Sequence, residues 1–275
     1  MEPGRLNVCA GTAWPAPAKL NLFLHVCGRR SDGYHELQTL FQLLNWGDDV
    51  CIEPRDEPVV SRSGPGFGVP EDEDLSIRAA RLLQRETGCK NGAAIAITKR
   101  VPMGSGMGGG SSDAATVLSV LNKLWGCGLG SDDLAALGAE LGADVPVFVH
   151  GRSALASGVG EKLKPVTLGS RHYVVVFPGV AISTSSVFGN PGLKRDSRPI
   201  STEEALSGGG RNDCEAVVRA NWKEMDAAFE QLARWGHPRM AGTGSAIFIE
   251  VADAGAARQT AQEIKTLYNC RAVEG

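Results

Sequence analysis

The chain has 275 residues, 43% of them hydrophobic and 21% charged, with a formal net charge of −3. That length provides one large domain or two modest ones, and the composition is that of a water-soluble globular protein with a sizeable core. The slight negative charge excludes nucleic-acid or acidic-membrane binding through bulk electrostatics, since both need a basic surface, while a local basic pocket for phosphates stays open.

No stretch approaches 18 consecutive apolar residues, so no membrane span is expected. The first dozen residues lack the charged start and apolar run of a secretory signal. Seven cysteines, at positions 9, 27, 51, 89, 127, 214 and 270, are scattered and form no C-x-x-C pair. That pattern fits reduced thiols in a cytoplasmic protein better than a disulfide frame or a zinc site.

Residues 19–26 alternate as a strand, with Leu20, Leu22, Leu24 and Val26 on one face and Lys19, Asn21, Phe23 and His25 on the other. A turn follows at 29–33. Residues 75–87 show helical spacing and stop at Gly88, and 94–98 form a short strand. A dense glycine run at 104–110 leads into a helix whose buried face is Ala114, Val117, Leu118, Leu121 and Trp125. Ser131-Asp132-Asp133 reads as the start of another helix, closed by Gly142. Residues 145–149 read as a strand with Pro146 near its beginning. The 158–168 stretch is where one subdomain is expected to yield to another. Strands at 173–177 and 247–251 and helices around 215–235 and 256–267 complete the order. Segments 64–73 and 189–198 read as exposed loops. The mixture lacks a strict βαβα rhythm, which predicts an α+β fold.

The chemistry concentrates in Pro102-Met103-Gly104-Ser105-Gly106-Met107-Gly108-Gly109-Gly110-Ser111-Ser112-Asp113. Unpaired N–H groups at a helix start, with a positive dipole end, make an anion site, and glycines remove the Cβ atoms that would hold a phosphate away. The two serines add hydroxyls able to bond phosphate or coordinate Mg²⁺. The plain alternative is a flexible loop capped by serine. A Walker A loop is excluded because Gly110 stands where its lysine belongs, while a G-x-G-x-x-G match from Gly104 to Gly109 keeps a dinucleotide-dependent dehydrogenase as an alternative. The segment Lys99-Arg100-Val101-Pro102 fits poorly with the buried parallel strand that a dehydrogenase needs.

This loop resembles the phosphate loop of the GHMP kinases, the galactokinase, homoserine, mevalonate and phosphomevalonate enzymes. Pro17-Ala18-Lys19-Leu20-Asn21 resembles that superfamily's first motif, and Gly242-Thr243-Gly244-Ser245 its third. Gly33-Tyr34-His35-Glu36-Leu37-Gln38-Thr39, Leu141-Gly142-Ala143-Asp144-Val145-Pro146-Val147-Phe148 and Asn212-Asp213-Cys214-Glu215 are similar to segments of the diphosphocytidyl-methylerythritol kinases within it. The likeness runs from about residue 14 onward.

The resemblance implies a two-domain α+β GHMP kinase fold, with residues 1–158 as the N-terminal domain, 159–275 as the C-terminal domain and the active site in the cleft between them. It implies an ATP-dependent kinase, working with Mg²⁺ on a small-molecule alcohol. Residues 102–112 would bind ATP; the metal ligands stay unassigned. Asn21, Tyr34, His35, Phe188, Gly242, Thr243 and Gly244 would contact substrate, with Tyr34 and Phe188 stacking on a nucleobase at about 1–3 kcal/mol per face. Lys19 and Asp144 would be catalytic, Asp144 as the general base and Lys19 as the cation that keeps it ionised.

The plain alternatives are Asp144 as an ordinary turn aspartate, the better reading without the resemblance, Lys19 as the solvated face of an edge strand, His35 as a surface loop histidine and Phe188 as a core side chain. The side chains of Met103, Met107 and Trp125 read as packing. Asp113 adds negative charge near the phosphates, which Mg²⁺ or the helix dipole would offset. A mevalonate- or homoserine-type GHMP kinase is the nearer alternative in function, opposed by the Gly33-Tyr34-His35 segment; a binding-only protein is another, opposed by the presence of both Lys19 and Asp144.

Overall fold

The structure, a computed structural model, describes residues 12–275. Cys9 and the N-terminal stretch read above for a signal lie outside the described residues. By contact the chain forms two compact units that interleave in sequence. One holds residues 12–17 together with Gly47–Arg100 and Gly109–Gly151, and the other holds Ala18–Trp46, Val101–Gly108 and Arg152–Gly275. Two long paired strands, β1 (Ala13–Arg29) and β2 (His35–Arg55), run through both.

In the first unit the C-terminal half of β2 pairs antiparallel with β4 (Gly92–Thr98), from Asp49 opposite Thr98 to Arg55 opposite Gly92. β3 (Val60–Arg62) lies parallel to β4. The helices are α1 (Leu75–Thr87), α2 (Gly109–Leu124), α3 (Ser131–Leu141) and α4 (Val145–His150). Asp74 caps α1 by accepting from the Ser76 N–H at 2.9 Å, and Gly88 ends the helix in the left-handed conformation. Ile77, Ala79, Ala80, Leu82 and Leu83 are its buried stripe, and α1 packs on α2. Trp125, one residue past α2, is buried and donates its indole N–H to the Gly92 carbonyl at 3.3 Å.

The 145–149 segment, expected as a strand, is the helix α4. Pro146 lies in its first turn, where a missing N–H breaks no hydrogen bond. The Val145 N–H bonds the Gly142 carbonyl at 3.0 Å, so the chain turns tightly from α3 into α4. A Cβ at Gly138 would stand 2.6 Å from Val145 Cγ1, so the two helices meet at a residue without a side chain. A short, wholly apolar run carries no period that separates strand from helix.

In the second unit the N-terminal half of β2 pairs with β5 (Ala154–Gly158), which forms a hairpin with β6 (Lys162–Pro165). The 158–168 stretch thus lies inside this unit. A four-stranded antiparallel sheet runs in the order β10 (Asn269–Glu274), β7 (His172–Phe177), β9 (Ile247–Val251), β8 (Pro238–Met240). Both faces are buried. Val174, Val176, Ile247 and Ile249 pack with Val217, Val218, Met225 and Phe229, while Tyr173, Val175 and Phe248 pack with Leu20, Phe23 and Leu40.

The helices of this unit are α5 (Thr184–Gly189), α6 (Thr202–Leu206), α7 (Asp213–Asn221), α8 (Lys223–Leu232) and α9 (Ala254–Ile264). The helical stretch expected at 215–235 is broken at Trp222, which has extended dihedrals. Cys27, Cys89, Cys127, Cys214 and Cys270 are free thiols, as expected. Cys51 departs from that expectation and is disulfide-bonded. Among the described residues no helix is long and apolar enough to cross a membrane.

Candidate active site

Lys19 and Asn21 share one face of β1, as their alternation predicts, but that face is not solvated: each is only 3% exposed. The Lys19 ammonium donates to Asn21 Oδ1 at 2.6 Å and to the Gly106 carbonyl at 2.8 Å, and lies 5.3 Å from the centre of the Phe41 ring. Asn21 Nδ2 donates to Thr39 Oγ1 at 2.9 Å, and the Thr39 hydroxyl in turn donates to the Phe23 carbonyl at 2.5 Å. This chain orients the amide so that its oxygen faces the lysine. The Lys19 N–H bonds the Met107 carbonyl at 3.0 Å, which fastens β1 to the glycine loop.

Two glycine loops meet in the second unit. Gly106 has φ +77°, and a Cβ there would stand 2.2 Å from the Ala241 carbonyl oxygen. Gly242 has φ +56°, and its Cβ would stand 2.9 Å from the Gly106 oxygen and 3.3 Å from Asn21 Oδ1. Only glycine permits both the conformation and the approach. The Ala246 N–H bonds the Ser105 carbonyl at 3.0 Å, adding a main-chain tie. Asn212 donates its side-chain amide to the carbonyls of Met240 (2.9 Å) and Gly242 (2.7 Å), while its Oδ1 caps α7 through the Cys214 N–H. Thr243 and Thr184 hydroxyls are 3.0 Å apart. Lys19, Asn21, Gly106 and Gly242, from three separate sequence motifs, are therefore one cluster.

The loop continues into the first unit, where Gly109, Gly110, Ser111 and Ser112 form the first turn of α2, the turn whose N–H groups lack helical partners. Ser112 Oγ is buried without a hydrogen-bond partner among the described residues. The unpaired N–H groups suit a phosphate oxygen, and the buried, unpaired hydroxyl can bond a phosphate oxygen or lend its own oxygen to a hard cation such as Mg²⁺. Lys99 Nζ donates to Asp113 Oδ2 at 2.9 Å and to Asp48 Oδ2 at 2.5 Å. Burial pushes the Asp113 carboxyl up to about 7; the Lys99 charge opposes that shift and the Asp48 charge adds to it. Lys99 itself is held above its usual value, because the two carboxylates outweigh the cost of burying its charge. A lysine thus faces Asp113, a partner the sequence did not indicate.

Asp144 immediately precedes α4 with near-helical dihedrals, φ −85° and ψ −12°, and its side chain makes no capping hydrogen bond to that helix.

At the turn between β1 and β2, Tyr34 is 65% exposed. The His35 and Phe188 rings stack with centroids 5.0 Å apart and an interplanar angle of 26°. That is direct stacking distance, so no third ring fits between this pair. Arg195 Nε donates to His35 Nε2 at 3.0 Å. His35 is held below the usual imidazole range by burial and then by the positive charges of Arg195 and Arg29.

The 189–198 segment, expected as an exposed loop, buries Leu193 and Ser197 and carries that arginine. Sequence reasoning missed Thr39, Asn212 and Arg195 as positioning groups; Thr39 and Asn212 each had a signal, as part of a motif, and Arg195 had none. Met107 and Trp125 are buried as expected, but Met103 is 58% exposed and does not pack as read.

A sequence profile of the GHMP kinases N terminal domain matches residues 74–152. A Halorhodospira halophila protein named 4-diphosphocytidyl-2-C-methyl-D-erythritol kinase is 55% identical over 241 residues, covering 86% of this chain and 84% of its own length. A protein of the same name from Xanthomonas axonopodis pv. citri is 51% identical over 255 residues, covering 92% and 86%. The crystal structure of a 4-(cytidine 5'-diphospho)-2C-methyl-D-erythritol kinase superposes with a TM-score of 0.83 at 36% identity, covering 96% of this chain and 98% of that one. A Methanococcus jannaschii mevalonate kinase superposes with a TM-score of 0.67 at 13% identity over 96% of this chain and 98% of its own, a likeness of fold alone. The chain is a kinase of α+β GHMP architecture, and it belongs to the 4-diphosphocytidyl-2-C-methyl-D-erythritol kinase family.

Proposed function

We propose that this enzyme transfers the γ-phosphoryl group of ATP to the 2-hydroxyl of 4-diphosphocytidyl-2-C-methyl-D-erythritol, a step in the non-mevalonate route to isoprenoid precursors. The observation that carries the reading is the cluster of Lys19, Asn21, Gly106 and Gly242, which joins a buried cation and an oriented amide to two glycine loops. Asp144 accepts the proton of the 2-hydroxyl; the oxygen attacks the γ-phosphorus in line, and ADP leaves with the electron pair of the broken P–O bond. Lys19 offsets the negative charge on the transferring oxygens. No phosphoenzyme forms, so positioning and electrostatics supply the acceleration.

The glycine loop and the first turn of α2 hold the phosphates of ATP. The orphaned Ser112 hydroxyl would help to hold Mg²⁺, which when bound would offset phosphate charge. Asn21, Gly242, Thr243 and Gly244 contact the methylerythritol end. Tyr34 offers an exposed ring face to cytosine, and the stacked pair of His35 and Phe188 bounds the base from the side. As a division of the sequence, we take residues 1–158 as the N-terminal kinase domain, which contains the matched 74–152 profile, and 159–275 as the C-terminal one; the compact units interleave across that division. Both substrates are small charged molecules of the cytoplasm, where we place the enzyme; no nucleic acid or membrane takes part.

The test is ³¹P and ¹³C NMR of the product. The reading requires a new phosphomonoester coupled to C2 with the diphosphate bridge intact. A phosphate on another hydroxyl, or a cleaved diphosphate, overturns it.

A further inference from the structure

The turn that follows α5 is organised around one guanidinium. Arg195 Nη2 donates to the carbonyls of Phe188 and Asn190, both at 2.8 Å, and Nη1 donates to the Leu193 carbonyl at 2.9 Å. These three bonds close residues 188–195 on themselves and fix the backbone that carries Phe188. The remaining Nε–H reaches His35 Nε2, 3.0 Å away and 160 residues earlier in the chain. All of these groups lie in the second unit.

An arginine side chain keeps its protons throughout the working range, so Nε is always a donor. Its partner Nε2 must then present a lone pair, and a neutral imidazole with a lone pair on Nε2 carries its proton on Nδ1. Among the described residues no hydrogen-bond partner is found for His35 Nδ1. The charged neighbours of the ring, Arg195 and Arg29, are both cationic and both oppose its protonation. Phe188, stacked on the ring, restrains its orientation.

We infer that Arg195 is a positioning residue for base recognition: it holds His35 as the Nδ1–H tautomer, so that the ring offers a donor and no acceptor to the edge of a pyrimidine. The inference rests on the cytidylyl reading of the site. Cytosine presents acceptors at O2 and N3, whereas uracil carries a proton on N3. A fixed donor facing N3 therefore favours the first and meets a second donor in the other, whereas O2 accepts in both and does not discriminate. Without Arg195 the imidazole takes either tautomer, and that discrimination falls.

Two measurements on the full-length protein test this. Long-range ¹H–¹⁵N correlation at neutral pH should give the Nδ1–H pattern for His35 in the wild type; an Nε2–H pattern or an imidazolium there overturns the inference without any variant. Steady-state kinetics should compare the cytidylyl substrate with its uridylyl counterpart. In Arg195→Ala the KM for the cytidylyl substrate should rise about tenfold, the cost of one lost hydrogen bond, with a much smaller fall in kcat. The gap between the two substrates should narrow, and the pH midpoint of KM should move upward as a cationic neighbour is lost. Arg195→Lys, which keeps a charge and a donor but not the fork, should restore part of the gap. An unchanged gap and tautomer in Arg195→Ala overturn the inference and leave the cytidylyl reading intact. A wild type that turns over both substrates alike overturns that reading, and the inference with it.

Discussion

Lys19 is a buried cation whose ammonium is held by an amide oxygen and a carbonyl, with a phenyl ring close by. Replacing it with methionine keeps the stem packed and removes the charge. We predict that Lys19→Met lowers kcat by about 10²–10³, the scale of one lost electrostatic group at a transition state, while ATP still binds; near-normal kcat would remove Lys19 from the chemistry. Asp144→Asn should fold normally and lose about 10²–10⁴ in kcat, the usual contribution of a general base. Retained turnover in that variant would discharge Asp144 from the role. Tyr34→Ala, at an exposed ring, should raise KM for the cytidylyl substrate more than it lowers kcat, and a pure kcat defect would count against stacking. At this scale alternation placed Lys19 and Asn21 on one face, but it does not distinguish a solvated face from a buried one. Their burial comes from loops more than eighty residues away in sequence.

Elements carry the fit between the motifs. Gly106→Ala would drive a Cβ into the Ala241 carbonyl at a φ that L-residues rarely adopt, so the two glycine loops must part. Loss of both thermal stability and activity is expected, and a variant as stable and active as the wild type would show that the loops do not need this approach.

The start of α2 carries a pH dependence through Asp113. Below about pH 4 its carboxyl is neutral in folded and unfolded chains alike, and the raised folded value of about 7 contributes its full stability there. As pH rises through about 7 the buried group must ionise, and that contribution is lost. Asp113→Asn leaves the Lys99–Asp48 pair and should flatten this component of the melting temperature between pH 4 and 7. Identical slopes for variant and wild type would contradict it.

Element types were mostly legible where period was clear, as in α1 with Gly88 as its stop and in the apolar face of α2. The five apolar residues of α4 have no period, and its helical nature comes from the Gly142 turn and the contact at Gly138. Arg195 was invisible because its four partners are carbonyls and an imidazole brought near only by folding.

At the scale of the molecule, the chain order of the motifs is not the order of compact units. A linear reading divides at residue 158, whereas the units interleave, with β1, β2 and the glycine loop passing from one to the other. Periodicity and turn signals are local and carry no information about such interleaving; an ordered set of motifs does, because it implies a known fold. The α+β class was readable from the mixture of elements, the GHMP superfamily from the three glycine- and lysine-bearing motifs together, and the narrower family from the 33–39, 141–148 and 212–215 segments.

The central claim is that this GHMP architecture acts on a cytidylyl-linked alcohol, and the direct measurement is ADP release by the purified protein with ATP and Mg²⁺. Three acceptors should be offered in parallel: 4-diphosphocytidyl-2-C-methyl-D-erythritol, mevalonate and homoserine. Release with the cytidylyl compound alone is the predicted result. Release with mevalonate or homoserine instead, or with none of the three while ATP binds, would contradict it.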